Sequence, residues 1–382
     1  MTIDELVRTR GVLICCGTGG VGKTTTAAVL ALEGARFGRR AIVVTIDPAK
    51  RLADTLGLSS LSDAPTAIDR SRWDLDGTAP TDGHLSALML DTKSTFDSLV
   101  RRYADSDDQA QRILENRFYR NVSGALGGTQ EYMAMEKLHE LHESGAFDLI
   151  VVDTPPTRHA LDFLDAPNRL LRLLDNRIFR LLMMPTRAYL RVASVAVQGF
   201  LRTIARVVGS EVIEDVVAFF RAFEGMEEGF RTRAAAVSAL LADPTTGFVL
   251  ITAPRRDAVQ EAHFFATRLH DHHQEVEALI VNRVHPRFGD ESPEGLRARA
   301  TEIRALPSAD AASLAAAYDN LADFNEVARR ERESLTGVRE LAGPGVIAFV
   351  PFLAHDVFDF GALDDIGRHL FAAGDEVVGA ER

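Results

Sequence analysis

The sequence is poor in lysine, cysteine and tryptophan, and these scarcities narrow what it can be. Only four of its 43 basic residues are lysines (Lys23, Lys50, Lys93 and Lys137), and 55 acids bring the formal charge to −12. A chain of that sign is not a general nucleic-acid coat. The two cysteines, Cys15 and Cys16, are adjacent. They cannot staple a disulfide scaffold, and without a CxxC pair no thiolate zinc site is expected. Both sit in an apolar run, where buried core thiols are the ordinary outcome. No stretch reaches the ~18 uninterrupted apolar residues of a spanning helix. The apolar run before Gly17 is too short for a secretory core, so a cytoplasmic location is expected, with room for peripheral membrane contact.

What remains is a globular composition: 382 residues, 46% hydrophobic and 26% charged. Short Val/Ile/Leu-rich runs recur at 12–16, 41–47, 85–91, 148–153, 247–252, 278–282 and 346–350. They lack strict polar alternation, as strands covered on both faces do. Helical stretches separate them, which predicts an α/β fold with a mostly parallel sheet flanked by helices. Two stretches, 92–147 and 160–242, carry almost no strand signal. They are expected to be helical insertions forming a subdomain on a single P-loop domain over 1–382.

The strongest local signal is Gly17-Thr18-Gly19-Gly20-Val21-Gly22-Lys23-Thr24, with Thr25 opening the following helix. It fits GxxxxGK[ST] between a predicted strand and a predicted helix, the context a phosphate-binding loop needs. Backbone N–H groups and the helix N-terminus favour phosphate there. Lys23 is placed to contact the β- and γ-phosphates and Thr24 to ligate Mg²⁺. A second apolar strand delivers Asp153 to the carboxyl edge of the sheet, where its carboxylate would hold Mg²⁺ through water.

Two further segments, Thr45-Ile46-Asp47-Pro48-Ala49-Lys50-Arg51-Leu52-Ala53-Asp54 and Asp153-Thr154-Pro155-Pro156-Thr157-Arg158-His159-Ala160-Leu161, complete a pattern. With the phosphate loop they closely resemble the ArsA family of P-loop ATPases, from about Leu13 to Leu370. That family includes arsenite-pump ATPases and the guided-entry targeting ATPases for tail-anchored membrane proteins. The resemblance implies that Asp47, in switch I, orients the attacking water and reaches Mg²⁺ through water. It implies that Thr154, Pro155, Pro156, Thr157 and Arg158 form switch II, which senses the γ-phosphate. It makes Asn282 the reader of the adenine edge, with Pro351 and Phe352 packing on the base. Read alone, Asn282 is equally a polar strand end.

The departures from the family pattern matter as much. Thr18 stands where the family carries a second lysine that reaches a dimer partner's phosphates. Hydrolysis is therefore slow, or Lys50, Arg51 or Arg158 substitutes, or a paralogous subunit supplies the charge. Lys50 itself replaces the family's usual histidine. A single phosphate loop and the absence of metalloid-binding cysteines argue against an arsenite pump. No CxxC follows Asn282, so no zinc is expected. The resemblance thus implies a Mg²⁺-dependent ATPase switch, working as a homodimer or as a heterodimer with a paralogous subunit. The alternative is a nucleotide-binding regulatory subunit with weak hydrolysis.

The net acidity hides a basic stretch. Between 168 and 207 eight arginines (169, 172, 177, 180, 187, 191, 202 and 206) face one acid, Asp175. Leu170, Leu174, Ile178 and Leu182 recur at a spacing of four and line one helix face. Such a face either holds a hydrophobic client helix or an anionic membrane surface, or packs on the rest of the insert with arginines reaching to water. Tyr119, Leu126, Tyr132, Met133, Met135, Leu138 and Leu141 form a second apolar set. It is either the opposite wall or part of the same core.

Overall fold

A computed structural model describes residues 2–46, 51–122, 129–155, 160–175, 210–343, 345–354 and 356–371. Asp47, Lys50, Pro156, Thr157, Arg158, Leu126 and the arginine-rich segment 176–209 lie outside the described residues. The core is an eight-stranded sheet: β1 (Val12–Gly17), β2 (Arg40–Thr45), β3 (Thr66–Ala67), β4 (His84–Met89), β5 (Leu149–Asp153), β6 (Thr246–Thr252), β7 (Val276–Val284) and β8 (Val346–Pro351). Their spatial order is β3-β4-β2-β5-β1-β6-β7-β8. Every pairing is parallel except β3–β4. The seven expected strands are thus present and parallel. The eighth, β3, is a two-residue antiparallel edge too short to leave a hydropathy signature.

The central strands are buried on both faces, as their unbroken apolar runs require. Alternation sends Leu13, Cys15, Val43 and Val151 into one core layer and Ile14, Cys16, Val44 and Val152 into the other. Helix Lys23–Arg36 covers the first face with small residues, among them Ala27, Ala28, Ala31 and Ala35. A Cβ on Gly34 would collide with the Leu149 side chain, so this helix lies close against the sheet.

Strand β4 ends at Met89, earlier than the apolar run suggests. Asp91 instead caps helix Thr92–Tyr103, accepting from the Lys93 and Ser94 amides at 2.9 and 3.0 Å. Helices Asp107–Glu115, Arg117–Val122 and Thr129–Glu143 follow before β5. Helices Ala160–Asp175, Ser210–Ala222 and Glu227–Leu241 precede β6. Residues from both groups share one apolar cluster separate from the sheet's two layers, including Leu99, Ile113, Tyr119, Leu174, Phe223 and Phe230.

A further helical pair, which the apolar pattern did not announce, fills the crossover from β7 to β8. Helices Pro293–Arg304 and Ala311–Ser334 form an antiparallel hairpin tied by Arg297–Asp323 at 2.9 Å and Arg304–Asp319 at 2.5 Å.

Candidate functional site

The phosphate loop leaves the carboxyl end of β1 and enters helix Lys23–Arg36. Two of its glycines are required by close approach. A Cβ on Gly17 would strike the Ile251 carbonyl, and one on Gly22 would strike the Asn282 amide. Gly22 also adopts a left-handed φ of 97°, which suits a residue without Cβ. It is the helix N-cap, no side chain caps that end, and no acid occupies the first turn. The leading N–H groups and the positive end of the helix are therefore left for an anion.

Lys23 is buried, and its Nζ donates to the Thr18 carbonyl at 2.8 Å. The loop thus holds its own lysine folded back along it. Thr18 brings no charge. Its hydroxyl is buried and has no hydrogen-bond partner among the described residues.

Three strands and the loop converge on Asp153. This carboxylate is 1% exposed, and its Oδ2 accepts from Thr24 Oγ1 at 2.8 Å and from Thr45 Oγ1 at 2.9 Å. Parallel pairing sets the meeting, because Asp153 stands in register with Cys15 of β1 and Thr45 of β2. Thr154 then ties the chain down, its hydroxyl donating to the Cys15 carbonyl at 2.7 Å. The donor set is hydroxyl and carboxylate oxygen beside a phosphate loop, which fits Mg²⁺ and not a soft metal. The neighbouring thiols play no such part: both are buried, and burial pushes Cys16 up to about 12, so it stays protonated.

A cleft of about 250 Å³ opens at the head of the helix. Gly20, Gly22, Lys23, Thr24, Thr25 and Thr154 line it. The remaining wall comes from three separate segments of the chain. Asp54 and Thr55 come from helix Arg51–Thr55, joined by Arg51, Arg283, Val357 and Phe358. Arg51, one of the cations that could stand in for the missing lysine, is thus at the cleft. Phe358 is 64% exposed and follows no motif; only the fold brings it to the loop.

The residues assigned to the base sit differently from one another. Asn282 is buried and already engaged on both sides of its amide. Nδ2 donates to the Val21 carbonyl at 2.9 Å, and Oδ1 accepts from the Arg283 amide at 2.9 Å. One N–H and one lone pair remain for a ligand. Phe352 stacks on His285, with centroids 4.9 Å apart and planes 9° from parallel. Glu331 of the hairpin holds that histidine through Nδ1 at 2.7 Å. Pro351 ends β8, and neither Pro351 nor Phe352 lines the cleft.

The chain is similar to several known ATPases. ATPase GET3 of Malassezia globosa is 28% identical over 156 residues, 41% of this chain and 42% of that protein. ATPase get3 of Aspergillus terreus is 30% identical over 152 residues, 40% of this chain and 41% of its own length. These matches span less than half the length of the curated relatives. ATPase GET3 of Paracoccidioides lutzii matches more weakly but further, 24% identical over 285 residues, or 74% and 75% of the two chains. The ArsA ATPase family, described as anion-transporting ATPase, matches residues 10–306. With that match covering most of its length, the chain belongs to the ArsA family of anion-transporting ATPases.

Proposed function

We propose that this protein is a Mg²⁺-dependent ATPase that works as a nucleotide switch. The observation that carries the reading is the convergence of Thr24 and Thr45 on the buried Asp153 carboxylate, directly at the uncapped head of the phosphate-loop helix. Magnesium held there by Thr24, with Asp153 behind it, would neutralise charge on the β- and γ-phosphate oxygens. The loop N–H groups and Lys23 bind the phosphates. Lys23 spends one of its three N–H donors on the Thr18 carbonyl, which leaves donors for the phosphates. Asp47 is assigned to orient the water that attacks the γ-phosphorus as the bond to the ADP oxygen breaks.

A switch needs a connection from the nucleotide to something larger. Asp153 and Thr154 lead through switch II into helix Ala160–Asp175, whose Ala166 and Leu174 lie in the helical cluster. We assign 92–147 and 160–242 to a helical subdomain on a single P-loop domain. Its surface would bind a hydrophobic helix or an anionic membrane more tightly in one nucleotide state than in the other. A homodimer, or a heterodimer with a paralogous subunit, fits the family resemblance. No helix among the described residues is long and apolar enough to cross a membrane.

Asp47→Asn tests the core of this reading. The variant is expected to bind ATP with wild-type affinity and to lose turnover, measured by phosphate release under single-turnover conditions. Undiminished turnover in Asp47→Asn removes the assigned role. Thr18, which cannot supply the positive charge of a lysine, supports the second reading, a weakly hydrolysing regulatory subunit. Native mass spectrometry then finds a second chain in the complex, whereas a homodimer with rapid turnover excludes it.

A further inference from the structure

Two non-glycine residues among those described have a left-handed backbone, His273 and Arg283. His273 lies just past the end of helix Arg256–Asp271, where such a conformation commonly closes a helix. Arg283 is different. It sits inside β7, between Asn282 and Val284, with φ at +62°. A residue carrying Cβ pays for this conformation. The β7–β8 register slips at the same place, between Val281 and Val284. The left-handed residue is thus a bulge, a device that re-aims a side chain out of the alternation of its strand.

What the bulge aims is a guanidinium at the phosphate loop. Arg283 Nη1 donates to the Gly20 carbonyl at 2.9 Å. Its neighbour Asn282 donates to the next carbonyl, Val21, and also accepts the Arg283 amide. Two successive peptide planes of the loop are therefore pinned by their oxygens. Across a trans peptide the N–H points opposite to the C=O, so the Val21 and Gly22 amides are turned the other way. Arg283 is exposed and lines the cleft, and a guanidinium has five donors of which Gly20 takes one.

We infer that Arg283 is a phosphate-binding residue of this cleft, its strained backbone retained because it holds the guanidinium on the loop and presents the remaining donors to the polyphosphate of the nucleotide. This rests on the P-loop reading above and extends it. It supplies in cis, from β7, a positive charge that Thr18 does not.

The test displaces a fluorescent ATP analogue with ATP and, separately, with inorganic tripolyphosphate, at fixed Mg²⁺. It compares wild type, Arg283→Gln, Arg283→Gly and Lys23→Ala. Loss of charged hydrogen bonds is expected to weaken both competitors roughly ten- to a hundredfold in Arg283→Gln and Arg283→Gly. Arg283→Gly should keep or raise the melting temperature, because glycine takes the left-handed conformation without strain. That separates a lost ligand contact from a lost fold. Wild-type affinity for both competitors in Arg283→Gln overturns the inference. So does a loss confined to ATP, which would mean that the residue reads ribose or base. A wild-type protein that binds no nucleotide, or a Lys23→Ala variant that binds normally, instead overturns the P-loop reading itself.

Discussion

The sheet and the helical cluster bury their apolar surface in different ways. The sheet's two layers are mostly aliphatic, Val, Ile, Leu and Ala with two thiols, and hold only scattered rings such as Trp73, Phe248, Phe265 and Phe360. The helical cluster is aromatic. Phe96 stacks on Tyr119 at 5.4 Å, and Phe223 meets Phe230 at 5.0 Å. Beside it lies a buried ion pair, Arg233 Nε donating to Glu136 Oε1 at 2.6 Å, with the second Arg233 nitrogen on Glu143 at 2.7 Å. Burial pushes the Glu136 carboxyl above its ordinary value, against the pull of Arg233. The outer Glu143 is shifted down by the hydrogen bond from the same arginine. Around them the buried Tyr132 hydroxyl, Glu136 Oε2, His139 Nδ1 and Arg233 Nη2 have no hydrogen-bond partner among the described residues.

The difference teaches where each region is determined. Parallel pairing of β5 with β1 and β2 holds Asp153 beside Thr45 and the helix residue Thr24 in a single arrangement. A buried charge with unsatisfied neighbours costs desolvation.

The sharpest way to break this contrast is to remove one ion of the pair. Glu136→Ala leaves Arg233 buried with half its partners and is expected to lower unfolding stability by about 3–5 kcal/mol, read from urea denaturation. ATP affinity should stay within about twofold, because the change lies outside the cleft. A parallel fall in ATP affinity with the fold intact would join the two regions into one rigid unit. Replacing Glu136 and Arg233 together by methionine should restore most of the loss.

A much smaller effect belongs to the sheet's rim. Arg40 binds Asp148 by two side-chain bonds at 3.0 and 2.6 Å, and those bonds first, then the Arg40 amide, hold the carboxyl at about 2. The folded value lies below the unfolded one of about 3.9. The contribution is therefore whole above about pH 4 and is lost as pH falls toward 2. Both side chains are 40% or more exposed. Screening by water accordingly limits Asp148→Asn to under about 1 kcal/mol at neutral pH. The stability gap between the two proteins should be constant above about pH 4 and close as pH falls toward 2.

The parts legible in the sequence were those written in short, local spacing. The phosphate loop needs eight consecutive residues, and a doubly covered strand needs only an apolar run. What escaped was non-local. The hairpin after β7 is alanine-rich and charged, with Ala315, Ala322 and Ala328 buried by close packing, so it shows no broad apolar stripe. Arg283 reads as an ordinary strand residue until the bulge turns it toward Gly20. Phe358 reaches the cleft from a loop some three hundred residues away in the chain, through contacts that no motif encodes. Asn282 lay between the two cases: its place at a strand end was legible, but its hold on the Val21 carbonyl was not.

The account stands most directly on nucleotide binding at the phosphate loop. Calorimetric titration of the purified protein with ATP and Mg²⁺ should give one site per chain. In Lys23→Ala, with its melting temperature unchanged, the affinity should fall at least about a hundredfold. Binding that survives Lys23→Ala undiminished, or a folded wild-type protein that takes up no Mg·ATP, would contradict it.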